Sequence, residues 1–165
     1  MRASYCLWVV VAFALGAMPG RLLASHFEVS LEVSDGSNKE SAGTATEPPK
    51  ARDVFVRPVM NSTRGAHCSA KWKLTCKSNE ILKDVLVHFY VVRVDKLGQV
   101  PPPLEPSVVV IETAQTMDFS PGTNSSAELE FVPDQAGIYL VRIETQGTAE
   151  VKSHEHYSAI DLVVK

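Results

Sequence analysis

The stretch VPDQAGIYLVRI, at residues 132–143, decides the fold that this sequence predicts. Pro133 and Asp134 are a turn signal, and Gly137 stands directly before a run of apolar and β-branched residues. Tyr139 lies near the start of that run. The pattern predicts a β-strand over residues 138–145 that begins at a tight corner.

The rest of the chain shows short alternating runs between turn signals, and no run has the spacing of an amphipathic helix. Further strands are predicted at residues 26–33, 54–59, 68–76, 81–92, 108–111, 127–132 and 157–164. Pro58 confines the run at 54–59 to a sheet edge. About seven short strands without helices predict an all-β protein, an antiparallel sandwich of two sheets.

Two segments have the composition of connections. Residues 34–52 are rich in Ser, Thr, Gly, Glu, Lys and Pro, and we expect a turn at 34–38 followed by a flexible loop. Residues 95–106, DKLGQVPPPLEP, predict an extended and semi-rigid connection.

The first residues predict export. Arg2 precedes an apolar run at residues 6–18, CLWVVVAFALGAM, which ends at Pro19 and Gly20. This is the pattern of a cleavable secretory signal, and the run is shorter than the roughly 20 residues of a membrane-spanning helix. We expect a signal peptide at residues 1–24, with cleavage after Ala24 or, alternatively, after Ser25. Residues 25–165 then form a single domain with no membrane span, secreted or periplasmic.

The charge balance does not suggest nucleic acid or an anionic membrane surface as a partner. After residue 24 the chain has 14 basic residues against 19 acidic ones, a formal charge of −5. We therefore expect no binding to nucleic acid.

Cys68 and Cys76 are the only cysteines after the signal peptide. An exported protein favours a disulfide between them, but they lie on one alternating run. Eight residues of strand separate them by roughly 26 Å, whereas a disulfide needs Cα atoms within about 7 Å. We expect an unbroken strand with two buried, unbridged thiols; the alternative is a turn inside the run that permits a bridge.

The corner at Tyr139 and the two strands around the polar turn at 77–80 resemble the immunoglobulin-like and fibronectin-type sandwich superfamily, over about residues 71–164. The resemblance implies an immunoglobulin-like sandwich in which the Tyr139 hydroxyl bonds to the backbone upstream. Val141 stands where antibody-type domains have a cysteine, so the resemblance is to the disulfide-less class. The runs HFYVVR, at 88–93, and TMDFSPG, at 116–122, also resemble small exported proteins of unknown function from planctomycete bacteria.

The histidines suggest an alternative function, which is metal binding. His154 and His156 lie on one face of an extended segment, roughly 7 Å apart. The order of the Tyr139 strand, this segment and a final strand is similar to periplasmic copper carriers of the CopC-like class. That resemblance implies copper held by His154, His156 and His26, which cleavage after Ser25 would make N-terminal. The family's D-x-H before the last strand is absent, and the competing interpretation is that His154 and His156 are solvated turn residues.

No constellation predicts catalysis, so we expect the chain not to be an enzyme. Its carboxylates near turns, Asp84, Asp118, Asp134 and Glu155, are scattered, and neither a nucleophile turn nor a phosphate loop occurs. The sequence predicts a non-catalytic binding or structural module without a cofactor, whose partner is an unknown protein or extracellular ligand. Copper binding is the alternative, and a copper-dependent oxidase, which would require an N-terminal histidine brace, is the third.

The aromatic residues and two asparagines complete the predictions from the sequence. Trp72, Phe89, Tyr90 and Phe119 are predicted to fill the space between the sheets. Asn61 and Asn124 begin glycosylation acceptor patterns, which matter only in a eukaryotic source.

Overall fold

The computed structural model describes residues 26–46, 56–147 and 156–165. Within these ranges the chain forms ten strands and no helix. The strands are β1 Phe27–Ser34, β2 Lys39–Ala42, β3 Ala45–Thr46, β4 Val59–Ser62, β5 Cys68–Cys76, β6 Leu82–Val94, β7 Val109–Phe119, β8 Asn124–Phe131, β9 Gly137–Gln146 and β10 His156–Val164. The predicted signal peptide at 1–24 lies outside the described residues.

The strands form two sheets, and the all-β prediction is confirmed. The smaller sheet has the order β2-β1-β5-β8, and the larger has the order β3-β10-β9-β6-β7. Strand β10 pairs with β9 along one edge. Along its other edge it pairs with β3 and, in parallel, with β4. Every other pairing is antiparallel. The architecture is a β-sandwich.

The core lies between the two sheets. In β1 the exposed and buried residues alternate, so that one face points into the core and the other into solvent. In β9 both faces are buried, because the outer face of the larger sheet is also covered. Burying a large apolar side chain contributes about 1.5–3 kcal/mol. The largest buried apolar side chains of this core include Leu31, Leu74, Phe89, Phe119, Tyr139, Ile143, Ile160 and Leu162.

The corner before β9 is as the sequence predicts. The Tyr139 hydroxyl donates a 2.7 Å hydrogen bond to the backbone oxygen of Gln135, and the side chain is buried. Gly137 has a φ of 149°, and a Cβ there would lie 3.3 Å from Arg93 Nε. The corner therefore requires a residue without a side chain at this position.

The turn at 34–38 is confirmed, and Asp35 organises it. Its carboxylate accepts hydrogen bonds from the backbone N–H groups of Ser37 and Asn38, at 2.9 and 2.6 Å, and from Ser62 Oγ at 2.7 Å. Desolvation alone would raise the pKa of Asp35, but these hydrogen bonds lower it to about 2. The bond to Ser62 also ties the β1–β2 turn to β4.

The flexible loop predicted at 34–52 is wrong over residues 39–46, which contain β2 and β3. Strand β2 pairs with β1, with Ala42 opposite Leu31, and Lys39 Nζ lies 2.7 Å from Glu32 Oε2. Backbone pairing stabilises this strand at the sheet edge, so its side chains stay half exposed and its composition polar. Residues 47–52 lie outside the described ranges.

Two other predicted boundaries are wrong. Strand β4 covers Val59–Ser62, whereas residues 56–58 form no strand and residues 54–55 lie outside the described ranges. Strand β7 continues to Phe119 instead of ending at Ile111. The second half of β7 was missed because most of its residues, including two that point inward, are exposed and polar.

The cysteines behave as expected. Strand β5 is unbroken from Cys68 to Cys76, and both thiols are free and buried. Burial raises the pKa of the Cys68 thiol, which keeps it protonated at neutral pH.

Candidate functional site

The sandwich is open on one side, between β7 and β8. These strands are consecutive in the chain but belong to different sheets, and within the described residues each has one unpaired edge. Cα partners in a sheet share a face. Thr113 is therefore directed inward with Phe89, and Gln115 with Val87. In a closed sandwich both positions would be apolar and covered.

Exposure shows that this side is uncovered. All five residues of β7 from Glu112 to Thr116 are exposed, although alternate ones face inward. On the opposite strand Ala127 is also exposed, and it is the partner of Trp72 across β5 and β8. A small side chain and two polar ones thus replace the large apolar side chains that would join the sheets here.

The result is a cavity of about 290 Å³, which we call the β7–β8 cleft. Its deeper lining is apolar, and Thr113 and Gln115 form its polar rim. The other lining residues are Trp72, Val87, Phe89, Ala114, Met117, Ala127 and Leu129.

Trp72 lines the cleft and carries a buried hydrogen-bond donor. The prediction that Trp72 fills the core is only partly correct: the side chain is half-buried and packs against the core from the cleft. Its Nε1 atom is buried, yet no protein acceptor lies within hydrogen-bonding distance. A buried donor without an acceptor costs about 1–3 kcal/mol. Phe89, Tyr90 and Phe119 are buried as predicted.

Two of the three histidines predicted for copper lie side by side. The rings of His26 and His156 are edge to face, with centroids 6.2 Å apart. His156 is buried at 1% exposure at the start of β10, so the solvated-turn interpretation is wrong for this residue. His154 lies outside the described residues. Within the described ranges no three His, Cys, Asp or Glu side chains form a group that could hold a metal.

A polar network on the outer face of the larger sheet was not predicted. Its centre is the Glu144 carboxylate, which accepts hydrogen bonds from Arg142 Nε at 2.5 Å, Gln146 Nε2 at 3.1 Å and the Tyr90 hydroxyl at 3.4 Å. His88 Nδ1 lies 3.5 Å from the same carboxylate, and its Nε2 lies 2.9 Å from Glu112. Burial raises the pKa of Tyr90, which keeps its hydroxyl a donor.

A second buried ion pair holds the Pro-rich connection. Asp161 contacts Arg57 Nη1 at 2.8 Å and accepts the N–H of Gly98 at 2.6 Å, while Arg57 also donates to the backbone oxygen of Gln99. Leu104 packs against a small apolar cluster on the same face of the sheet. The connection is therefore a cover for this face as well as a link between β6 and β7.

The pairs Arg142–Glu144 and Arg57–Asp161 have the geometry of structural ion pairs, because their oxygen and nitrogen atoms are directed at one another. The scattered carboxylates likewise form no common site: Asp118 accepts the backbone N–H of Asp84 at 2.9 Å, and Asp134 lies at the Tyr139 corner. Glu155 lies outside the described residues. The sequence did contain a signal for the network around Glu144: two charged residues, Arg142 and Glu144, alternate within a largely apolar strand.

No family model matches this chain, and no curated protein sequence matches it. Solved structures with partial similarity include the C-terminal domain of wzt, at 12% identity and a TM-score of 0.40 over 65% of this chain. Another is a family 123 glycoside hydrolase from Clostridium perfringens, at 13% identity and a TM-score of 0.41 over 75% of this chain. The chain spans 63% of the first of these and 27% of the second.

A third similar structure is the soluble domain of PmoD from Methylocystis sp. ATCC 49242, at 14% identity and a TM-score of 0.40. The match covers 81% of this chain and 97% of that domain. Similarity at these levels says nothing of what this chain binds. In the part of the chain that the structure describes, no helix is long and apolar enough to cross a membrane.

Proposed function

We propose that this chain is an exported, non-catalytic binding module of the immunoglobulin-like class whose ligand site is the β7–β8 cleft. The observation that carries the proposal is Trp72: its side chain lines a cavity with an apolar lining, and its indole N–H is a buried donor without an acceptor. The corner hydrogen bond of Tyr139 supports the immunoglobulin-like description.

The chemistry of the cleft defines the kind of ligand. Binding sites combine an apolar lining with a few polar groups that fix orientation. Here the apolar lining takes an aliphatic or aromatic group, and Trp72 Nε1 donates to an acceptor on it. The ligand is therefore an apolar group that carries one hydrogen-bond acceptor.

Fluorescence tests this proposal. Trp8 and Trp72 are the only tryptophans, so the full chain with Trp8→Phe reports on Trp72 alone. We expect the neutral probe 6-propionyl-2-(dimethylamino)naphthalene, whose ketone oxygen is the acceptor for Trp72 Nε1, to quench Trp72 emission by energy transfer. A probe of this size binds with a Kd of about 0.1 mM or tighter, given roughly 0.3 kcal/mol for each heavy atom.

Neighbouring residues of β8 supply the matched control. Ala127→Phe fills the cleft, and we expect it to weaken probe binding at least about tenfold, a loss of roughly 1.4 kcal/mol. Ser126→Phe adds the same ring to the other face of the strand and should leave binding unchanged. Equal binding by the two variants, or no binding by the parent chain, would contradict the proposal.

Copper binding is the second candidate function, because the rings of His26 and His156 are close together. Zinc or copper lies roughly 3 Å from the centre of a ligating imidazole, so centroids 6.2 Å apart are within the reach of one ion. The ion would be held by His26, His156 and, as the sequence predicts, His154.

Metal titration tests this candidate. We expect Cu²⁺ to bind the full chain at micromolar concentration, and His26→Ala and His154→Ala each to weaken binding at least about tenfold. Lys39→Ala is a surface control, at an exposed side chain whose partner is Glu32. Absence of binding, or equal affinity for all four proteins, would eliminate the copper candidate.

A further inference from the structure

We infer that the partner in the β7–β8 cleft is an extended polypeptide segment, with a basic residue at each end, that pairs with the free edge of β7. The inference rests on the proposed function, because it names the occupant of the same cleft.

The edge of β7 is suited to accept another strand. Strand β7 is 11 residues long and contains neither Lys nor Pro, two of the residues with which proteins usually protect an edge. Its register with β6 is regular from Met117, opposite Val85, to Ile111, opposite Val91. A regular strand presents a row of unpaired backbone groups, and recognition by strand addition uses such a row.

The volume of the cleft suits a few side chains of a larger partner. At about 290 Å³ it lies just below the roughly 300–1,000 Å³ of pockets for drug-sized ligands. Alternate residues of an added strand would share the inner face with Thr113, Gln115 and Met117. Three short side chains would then enter the cleft, and an oxygen on the middle one would accept from Trp72 Nε1.

The charge of the two strands beside the cleft determines the ends of the segment. From Val109 to Phe131, which includes β7 and β8, the chain has four acidic residues and neither Lys nor Arg. Glu128 is paired with Lys71 at 3.3 Å, and Glu112 contacts His88 Nε2 at 2.9 Å. Glu112 and Asp118 flank the exposed part of β7 on its outer face. Lys residues six positions apart would face them, and each such pair contributes roughly a 1.4- to 5-fold gain in affinity.

A second copy of this chain fits the edge less well. Antiparallel pairing of β7 with itself, centred on Gln115, places Glu112 directly opposite Asp118. Like charges in opposite positions destabilise a strand pair. The acidic edge therefore favours a basic segment from another molecule.

The test uses the capped peptide Lys-Val-Thr-Thr-Thr-Val-Lys and the full chain. We expect the peptide to bind, to change Trp72 emission in the Trp8→Phe chain, and to slow amide hydrogen exchange in Val109–Phe119 but not in Asn124–Phe131. The peptide with Glu at both ends should bind at least about fivefold more weakly at low salt.

The matched protein variant is Glu112→Gln with Asp118→Asn, which removes both charges and keeps the acceptors for His88 and for the Asp84 N–H. It should bind the basic peptide roughly 2- to 30-fold more weakly and the neutral probe as before. Probe binding without peptide binding would overturn this inference and leave the cleft as the ligand site. Peptide protection on β8, or protection of β7 in the peptide-free chain at high concentration, would also overturn it.

Discussion

Glu144→Leu is expected to lower the free energy of unfolding by about 3–5 kcal/mol. The substitution removes the carboxylate from Arg142, whose side chain is 2% exposed, and the desolvated guanidinium loses its 2.5 Å hydrogen bond. Arg142 also lies over the Tyr157 ring, with its guanidinium carbon 3.9 Å from the ring centroid, so it cannot turn to solvent without losing that packing. Urea unfolding followed by circular dichroism measures the loss.

A double variant separates the buried charge from the lost packing. Arg142→Met with Glu144→Leu removes both charges, and we expect it to be more stable than Glu144→Leu alone, because a well-packed apolar pair often replaces a buried ion pair at little cost. Glu130→Gln, at an exposed carboxylate on β8, should change stability by no more than about 0.5 kcal/mol. Arg142→Met alone completes the cycle: a double variant whose loss equals the sum of the losses of Glu144→Leu and Arg142→Met would show that the charges do not stabilise each other.

Asp161→Ala is expected to cost about 3–5 kcal/mol for the same reason at the second ion pair. The carboxylate is 1% exposed, and it serves both Arg57 at 2.8 Å and the Gly98 N–H at 2.6 Å. Its removal should also detach the Pro-rich connection from β10. We therefore expect faster amide hydrogen exchange at residues 96–100, together with a lower midpoint of urea unfolding.

Two further variants serve as controls for the role of Asp161. Asp161→Asn keeps one acceptor oxygen for the Gly98 N–H, so it should cost less than Asp161→Ala while still leaving Arg57 without this carboxylate. Asp95→Ala removes an exposed carboxylate from the same connection and should be neutral within about 0.5 kcal/mol. Unchanged exchange at 96–100 in Asp161→Ala would show that Asp161 does not hold the connection.

The strands that sequence reasoning found are those whose buried faces control their composition. Strands β1 and β5 are buried on one face, so alternation marks them, while β6 and β9 have apolar residues on both faces because both faces are largely covered. The strands that it missed, β2 and β3, are short edge strands. Backbone hydrogen bonds to neighbouring strands hold them, and such bonds leave little trace in the side chains.

The two polar clusters show why the sites could not be predicted. His88 and Glu144 are 56 residues apart in the chain, and only the register of β6 with β9 places them opposite each other. Asp161 and Arg57 likewise meet because β10 passes the start of β4. A sequence states which charges exist, but a charge becomes buried and paired only when separate strands align.

The sequence by itself predicted the sandwich, favoured the unbridged cysteines and predicted the Tyr139 corner, because these predictions rest on patterns among residues close together in the chain. Only the tertiary structure decided that the sandwich is open between β7 and β8. Thr113, Gln115 and Ala127 are unremarkable as residues of two polar strands. They form a cleft because β7 pairs with β6 and β8 with β5, which places these small and polar side chains where two sheets would otherwise close over Trp72.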